Sequence, residues 1–362
     1  MSEMAGKTVT VNGLIDPDDL GPTLMHEHFF WDISWWNTPS SDPTPEEMEL
    51  WHAKLSLENL YLARDKKHIR DNYVMEDEPL AIAEALRFKD VGGGTIVDVT
   101  NIGCGRNPQA VKRVADATGL NVVMGSGWYQ KANHPPDMDQ RTPEDLAEEI
   151  IRDITVGVGD TGVRSGIIGE VGINGQPITP NEIKSLQATA WASKATGVAI
   201  SLHHGGIGRE RFEVAEILAK EGADPARTIF GHSGSYAGDL PFLLELLDLG
   251  VYIQFDQLGR PVVPLAMGLR RHGPDPNAPD TAKDVLVAEV VPKLIDAGFE
   301  DRILLSHDVC FKTFLTAYGG TGYAYLLDKF MPYLRTQGLT ENQVNKIVVE
   351  NPRRVLTLAQ PA

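Results

Sequence analysis

The strongest constraint on the fold of this chain is an alternation. Eight short apolar, β-rich runs, at residues 23–30, 95–100, 121–127, 165–170, 198–203, 228–232, 251–255 and 302–306, are separated by longer stretches with helical patterning. The stretches 108–118, 143–154 and 182–195 each repeat apolar residues at three-to-four spacing, which gives a helix one apolar face. Continuous apolar runs suit strands buried on both faces, and strand–helix repeats of this kind build parallel sheets. Eight of them favour a closed (β/α)₈ TIM barrel over an open sheet. No linker divides the chain into two compositional regimes, so residues 1–362 are expected to form a single barrel domain.

Three connections that follow strands are long, at 31–75, 256–283 and 309–325. In a barrel such connections open at the C-terminal face, where active sites lie, so long ones are expected to form substrate walls or lids. Trp31, Trp35 and Trp36 in the first, and Tyr318, Tyr323 and Tyr325 in the third, either pack these loops down or line a pocket.

Composition narrows the partners. Lys and Arg total 33 against 50 Asp and Glu, a net charge of −17. That balance repels phosphate backbones and anionic lipid, so neither nucleic acid nor membrane is an expected partner. No apolar run approaches the roughly 20 residues of a membrane span. Cys104 and Cys310 are too few for a disulfide framework, and the opening MSEMAGKTVTVNG lacks a basic start and an apolar stretch. Both features point to the cytoplasm.

The sharpest local signal is Met25-His26-Glu27-His28 in the first run. Alternate strand residues face the same way, so the two imidazoles are expected to point together. His203 ends the fifth run and His232 ends the sixth, while the fourth ends in Glu170 and the eighth in Ser306-His307-Asp308. Four imidazoles and two carboxylates at strand ends suit zinc, manganese, cobalt or iron better than calcium or magnesium. Two divalent ions per chain, zinc first, would supply a shared hydroxide at neutral pH, and hydrolysis of a small molecule is the expected chemistry. Asp308 is both a ligand and the expected acceptor of the water's proton. His204 and His307 sit one residue from ligands and either support them or face away.

These residues, together with Gly21-Pro-Thr-Leu-Met-His-Glu-His28, Thr95-Ile-Val-Asp-Val-Thr100, Gly105-Arg-Asn107, Gly125-Ser-Gly-Trp-Tyr129, Gly231-His-Ser233 and Asn351-Pro-Arg-Arg-Val-Leu356, resemble the phosphotriesterase-like branch of the amidohydrolase superfamily. The resemblance runs over nearly the whole chain. It implies that His26, His28 and Asp308 hold the more buried metal, and His203 and His232 the more exposed one. Where the family commonly bridges its metals with a carbamylated lysine, this chain has Glu170, as in the phosphotriesterase homology proteins.

The resemblance also implies a substrate range. Tyr129 falls where family lactonases carry a tyrosine, which favours a lactone or carboxylic ester. Gln257 stands where many lactonases have arginine, and Asp256, Gln257 and Trp128 are the expected pocket residues. The alternatives are N-acyl amide hydrolysis or promiscuous phosphotriester hydrolysis on the same centre. An amide needs a well-placed acid for its amine, for which His204 and His307 are the candidates. A rival from outside the enzymes is a small-molecule binding protein that keeps the barrel without turnover. Relatives are frequently dimers, so a homodimer is expected.

Overall fold

In the computed structural model, which describes residues 4–65, 67–260 and 282–361, a parallel strand lies within or one residue beyond each of the eight runs. These are β1 (Thr23–Glu27), β2 (Thr95–Asp98), β3 (Asn121–Ser126), β4 (Ile167–Val171), β5 (Ile200–Leu202), β6 (Thr228–Phe230), β7 (Tyr252–Phe255) and β8 (Ile303–Leu305). Each pairs with its successor in one sheet ordered β1 to β8. The circle closes through single hydrogen bonds: the Asp308 amide donates to His26 O (3.1 Å) and the His26 amide to Ser306 Oγ (2.9 Å). The barrel is thus tied shut at two of the residues on which the sequence places the chemistry.

The apolar residues divide into two layers. Met25, Val97, Val123, Ile167, Ile229, Tyr252 and Leu304 from seven strands, and Ala199 just before β5, form one inner cluster with Leu20, Val355 and Leu356, a plug in the barrel. A larger cluster lies between the strands' outer faces and the helices, with Ile96, Val122, Ile168, Ile200, Phe230 and Ile253 from the strands. Burying bulky side chains in layers makes the barrel a packed core, which leaves its C-terminal mouth as the place for polar groups.

Local chemistry sets the helix ends. The helices Pro143–Thr155 and Pro180–Thr196 each start with a Thr cap, a proline in the first turn and an acidic side chain that bonds back to the cap, which satisfies amides that have no partner inside the helix. Pro108–Thr118 and Pro180–Thr196 stop at Gly119 and Gly197 in left-handed conformation.

The 31–75 connection has structure of its own. Trp31–Asp32 pairs antiparallel with Val74–Met75, which pins the two ends together. Between them lie the helices Pro45–His52 and Leu60–Arg64 over a small cluster of Leu55, Leu60, Ala63 and Ile69. The 256–283 connection lies largely outside the described residues. Among those described, no helix is long and apolar enough to cross a membrane.

Candidate metal centre

His26 and His28 converge at the C-terminal end of β1, as alternation predicts, although their neighbourhood is irregular. The β1–β2 register shifts between Leu24 and Glu27, and a second shift between Ile168 and Val171 re-aims the end of β4 at Glu170. Glu170 Oε1 lies 3.3 Å from His28 Nε2. Its Oε2 lies 3.2 Å from His26 Nε2 and 2.7 Å from His203 Nδ1. One carboxylate therefore faces two groups of imidazoles with different oxygens. Asp308 Oδ1 is 3.3 Å from His28 Nε2, and Asp308 Oδ2 is 3.7 Å from His232 Nε2.

Three nitrogens of this cluster lack the partners that buried polar groups normally have. Both ring nitrogens of His26, and Nε2 of His28, are buried without a hydrogen bond, because the nearby carboxylates approach off the bonding direction. An unsatisfied buried donor or acceptor costs about 1–3 kcal/mol, so several converging on one point are explained by a cation between them. Donor type and position fit transition metals: His26, His28 and Asp308 make one set within reach of a common ion, His26, Glu170 and His232 another, and His203, His204 and His232 a third.

Outer contacts fix the rings. His28 Nδ1 bonds Thr100 Oγ1 at 2.9 Å, and His232 Nδ1 bonds Asp256 Oδ1 at 2.8 Å, which turns each Nε2 toward the centre. Asp256 also accepts the His232 amide at 2.9 and 3.0 Å and lies 3.1 Å from His26 Nδ1. His232 and Asp308 both adopt left-handed backbone, with φ of 51° and 53°. Such strain, on the order of 1–3 kcal/mol, persists where surrounding contacts impose it; here those are the Asp256 carboxylate on the His232 amide and the His26 carbonyl on the Asp308 amide.

Charge is concentrated in this region. Burial opposes ionisation of Asp308, yet Arg260 and the imidazoles hold its carboxyl well below the usual range. Burial likewise opposes protonation of His28, but the Asp308 and Glu170 carboxylates beside it overcome that and raise the imidazole to about 9 without a metal. The carboxylates therefore draw positive charge into the centre, which a metal would provide in place of the protons.

The expected ligands and Tyr129 meet here; the other expected site residues divide. Tyr129 OH sits 3.1 Å from His203 Nε2, and burial followed by the Glu170 charge pushes its phenol well up, so it remains a neutral donor. Asp256, expected in the pocket, is fully buried and serves as the hydrogen-bonding partner just described. Gln257 accepts from the Lys283 ammonium through Oε1. Trp128 is not brought to the cluster: its buried ring packs in the large apolar layer, with the Arg141 guanidinium 5.4 Å over it.

Neither proposed acid is set up as one. His307 is locked, with Nδ1 2.8 Å from Glu27 Oε1 and Nε2 accepting the Leu326 amide at 2.9 Å. His204 is pushed down to about 2 by burial, then by the charges of His203 and His232, and stays neutral. The aromatic alternatives also resolve. The Trp31 ring lies 4.0 Å from that of His28, the Tyr323 hydroxyl bonds His28 O, and Trp36 stacks outside on Phe311. Sequence reasoning missed Glu27, Thr100, Arg260 and Lys283. For Glu27 a signal existed, a carboxylate between two histidines; for the others none did.

A model of the phosphotriesterase family matches residues 6–356. N-acetyltaurine hydrolase of Homo sapiens is 35% identical over 359 residues, spanning 99% of this chain and 99% of that protein. A solved resiniferatoxin-binding protein from Rhodobacter sphaeroides is 36% identical, with a TM-score of 0.87 across 97% of this chain and 95% of that one. The phosphotriesterase homology protein of Escherichia coli, solved with phosphate in its active site, is 29% identical, with a TM-score of 0.74 across 94% of this chain and 99% of that one. With a barrel whose mouth carries a histidine–carboxylate cluster and relatives matched end to end, the chain belongs to the phosphotriesterase family and is a hydrolase.

Proposed function

We propose that the protein is a binuclear metal-dependent hydrolase of small N-acyl amides. The observation that carries the metal reading is the convergence of His26, His28, Glu170, His203, His232 and Asp308 on one point, with buried imidazole nitrogens left unbonded. His26, His28 and Asp308 would hold the inner ion, His203 and His232 the outer one, and Glu170 would bridge them. Two divalent ions there, zinc first, would acidify a shared water and polarise the substrate carbonyl.

The chain's own residues do the rest. Asp308, ionised and facing the cluster beside His28, accepts the proton of the attacking water and passes it to the departing nitrogen. This route needs no separate acid, in keeping with the bonded His307 and the neutral His204. The Tyr129 hydroxyl donates toward the substrate's oxygen from beside His203, and Asp256 keeps His232 in the tautomer that presents Nε2.

The amide is supported over the lactone by relatives that are 35% identical across 99% of this chain and are named for hydrolysis of N-acetyltaurine, an N-acyl amide. A lactone or carboxylic ester is the second reading, favoured by the buried Tyr129 hydroxyl at the cluster. Hydrolysis of N-acyl amines, lactones, aryl esters and phosphotriesters by protein of measured metal content ranks the readings. Highest kcat/KM on an N-acyl amide is expected, and highest on a lactone would replace it with the second.

A further inference from the structure

Two cationic side chains lie beside the cluster. Arg260, just beyond β7, donates through Nη2 to Asp308 O at 3.1 Å and to the Asp308 carboxylate. Its guanidinium carbon lies 5.1 Å over the Phe314 ring, which fixes the plane of the fork. Lys283 comes from the start of the helix Ala282–Asp296 and passes over the turn after β6: a Cβ added to Gly234, two residues past His232, would sit 2.9 Å from Lys283 Cε. Its ammonium donates to the neutral Gln257 amide oxygen, and no carboxylate pairs with it among the described residues. The Gly259 amide, next to Arg260 in the chain, donates to Asp284 Oδ2, next to Lys283, at 3.0 Å, which brings the two cation-bearing segments together.

A charge count shows what this pair lacks. Glu170, Asp256 and Asp308 are the carboxylates that touch the cluster imidazoles. Two divalent ions and one hydroxide would balance these three charges to neutrality. Arg260 would then share the Asp308 carboxylate with an ion, and Lys283 would have only an amide oxygen as its partner, so the pair stays short of negative charge that an anion could supply. In a chain with a net charge of −17, such a local positive pair focuses anions at one place.

We infer that Arg260 and Lys283 form a subsite for an anionic group of the substrate, a carboxylate or sulfonate remote from the scissile bond. The Arg260 guanidinium, held by its Nε and Nη2 on His307 and Asp308, and the Lys283 ammonium each add positive charge for an anion. The subsite rests on the hydrolytic reading for its place in catalysis, and its binding can be measured without turnover.

The test compares N-acetyl-β-alanine with the neutral N-acetyl-β-alaninamide on metal-loaded wild type, Lys283→Gln and Lys283→Arg. Lys283→Gln is expected to raise KM for the acid about tenfold and leave the neutral amide's kinetics unchanged, with Lys283→Arg restoring the acid's KM. In parallel, calorimetry with ethanesulfonate, a poor metal ligand, reads the subsite directly. It should bind wild type and bind Lys283→Gln about tenfold more weakly. Equal losses on both substrates would mean a merely structural lysine and would overturn the subsite, as would ethanesulfonate that fails to bind wild type or binds both proteins alike. Lys283-dependent binding of ethanesulfonate with turnover of neither substrate would support the subsite and sink the amide reading instead.

Discussion

Two histidine–carboxylate assemblies lie side by side where β8 meets β1, and they differ in how fully they are bonded. In one, the buried Glu27 carboxylate accepts from Ser306 Oγ (2.8 Å), the His307 amide (2.9 Å), His307 Nδ1 (2.8 Å) and the Val309 amide (2.9 Å), while His307 Nε2 takes the Leu326 amide. Each bonding direction is used. In the other, His26, His28, Glu170 and Asp308 are also buried, yet both ring nitrogens of His26 and Nε2 of His28 face carboxylate oxygens at 3.1–3.3 Å without bonds. The first is a lock that closes the barrel; the second has coordination capacity left over. Residue type and burial are the same, so satisfaction of hydrogen bonds is what separates structure from chemistry here.

That contrast can be broken experimentally, and the largest effect should come from metal removal. Chelation is expected to abolish hydrolysis, and metal analysis of reconstituted protein should give about two ions per chain; none after reconstitution with zinc, manganese or cobalt would remove the distinction altogether. Glu170→Ala comes next. Loss of the oxygens that face both imidazole groups should lower turnover by more than the roughly 10–100-fold typical of losing an outer partner, and activation should not depend on bicarbonate, since a glutamate needs no carbon dioxide. Bicarbonate-dependent reconstitution would show that Glu170 is not the bridge.

Smaller effects sharpen the comparison. Asp256→Asn, which weakens the hold on His232, should reduce metal affinity or activity by about 10–100-fold; unchanged metal binding would place Asp256 outside the support of the centre. Glu27→Gln should do the opposite, destabilising the fold by about 1–3 kcal/mol in denaturant titrations while metal content stays normal. A variant that lost metal without losing stability would mean that the lock belongs to the site. Smallest of all, Tyr129→Phe should cost about 1 kcal/mol or less of stability but reduce kcat, and a change in stability alone would count against its contact with substrate.

The sequence made most of the barrel legible. Continuous apolar runs mark strands buried on two faces, and Thr-Pro-x-Asp/Glu marks helix starts such as Thr142 and Thr179, because both are statements about backbone geometry over a few residues. The six residues of the cluster were legible for the same reason: a strand end in a barrel is a location in space as well as in sequence. The roles of neighbours were not. Trp128 and Tyr129 differ in their partners, Arg141 for one and His203 for the other, and His307 and Asp308 in which network captures them.

By itself, then, the order of residues determined eight strands, their direction and the residue types at their C-terminal ends. Only the tertiary structure decided which of those residues are satisfied. Barrel closure sets His307 against Glu27 across 280 positions and Arg260 against Asp308 across 48, and the register shifts in β1 and β4 re-aim the side chains near them. Periodicity is local and survives being read along the chain, whereas a hydrogen bond depends on distance and angle between groups that meet only when the barrel closes.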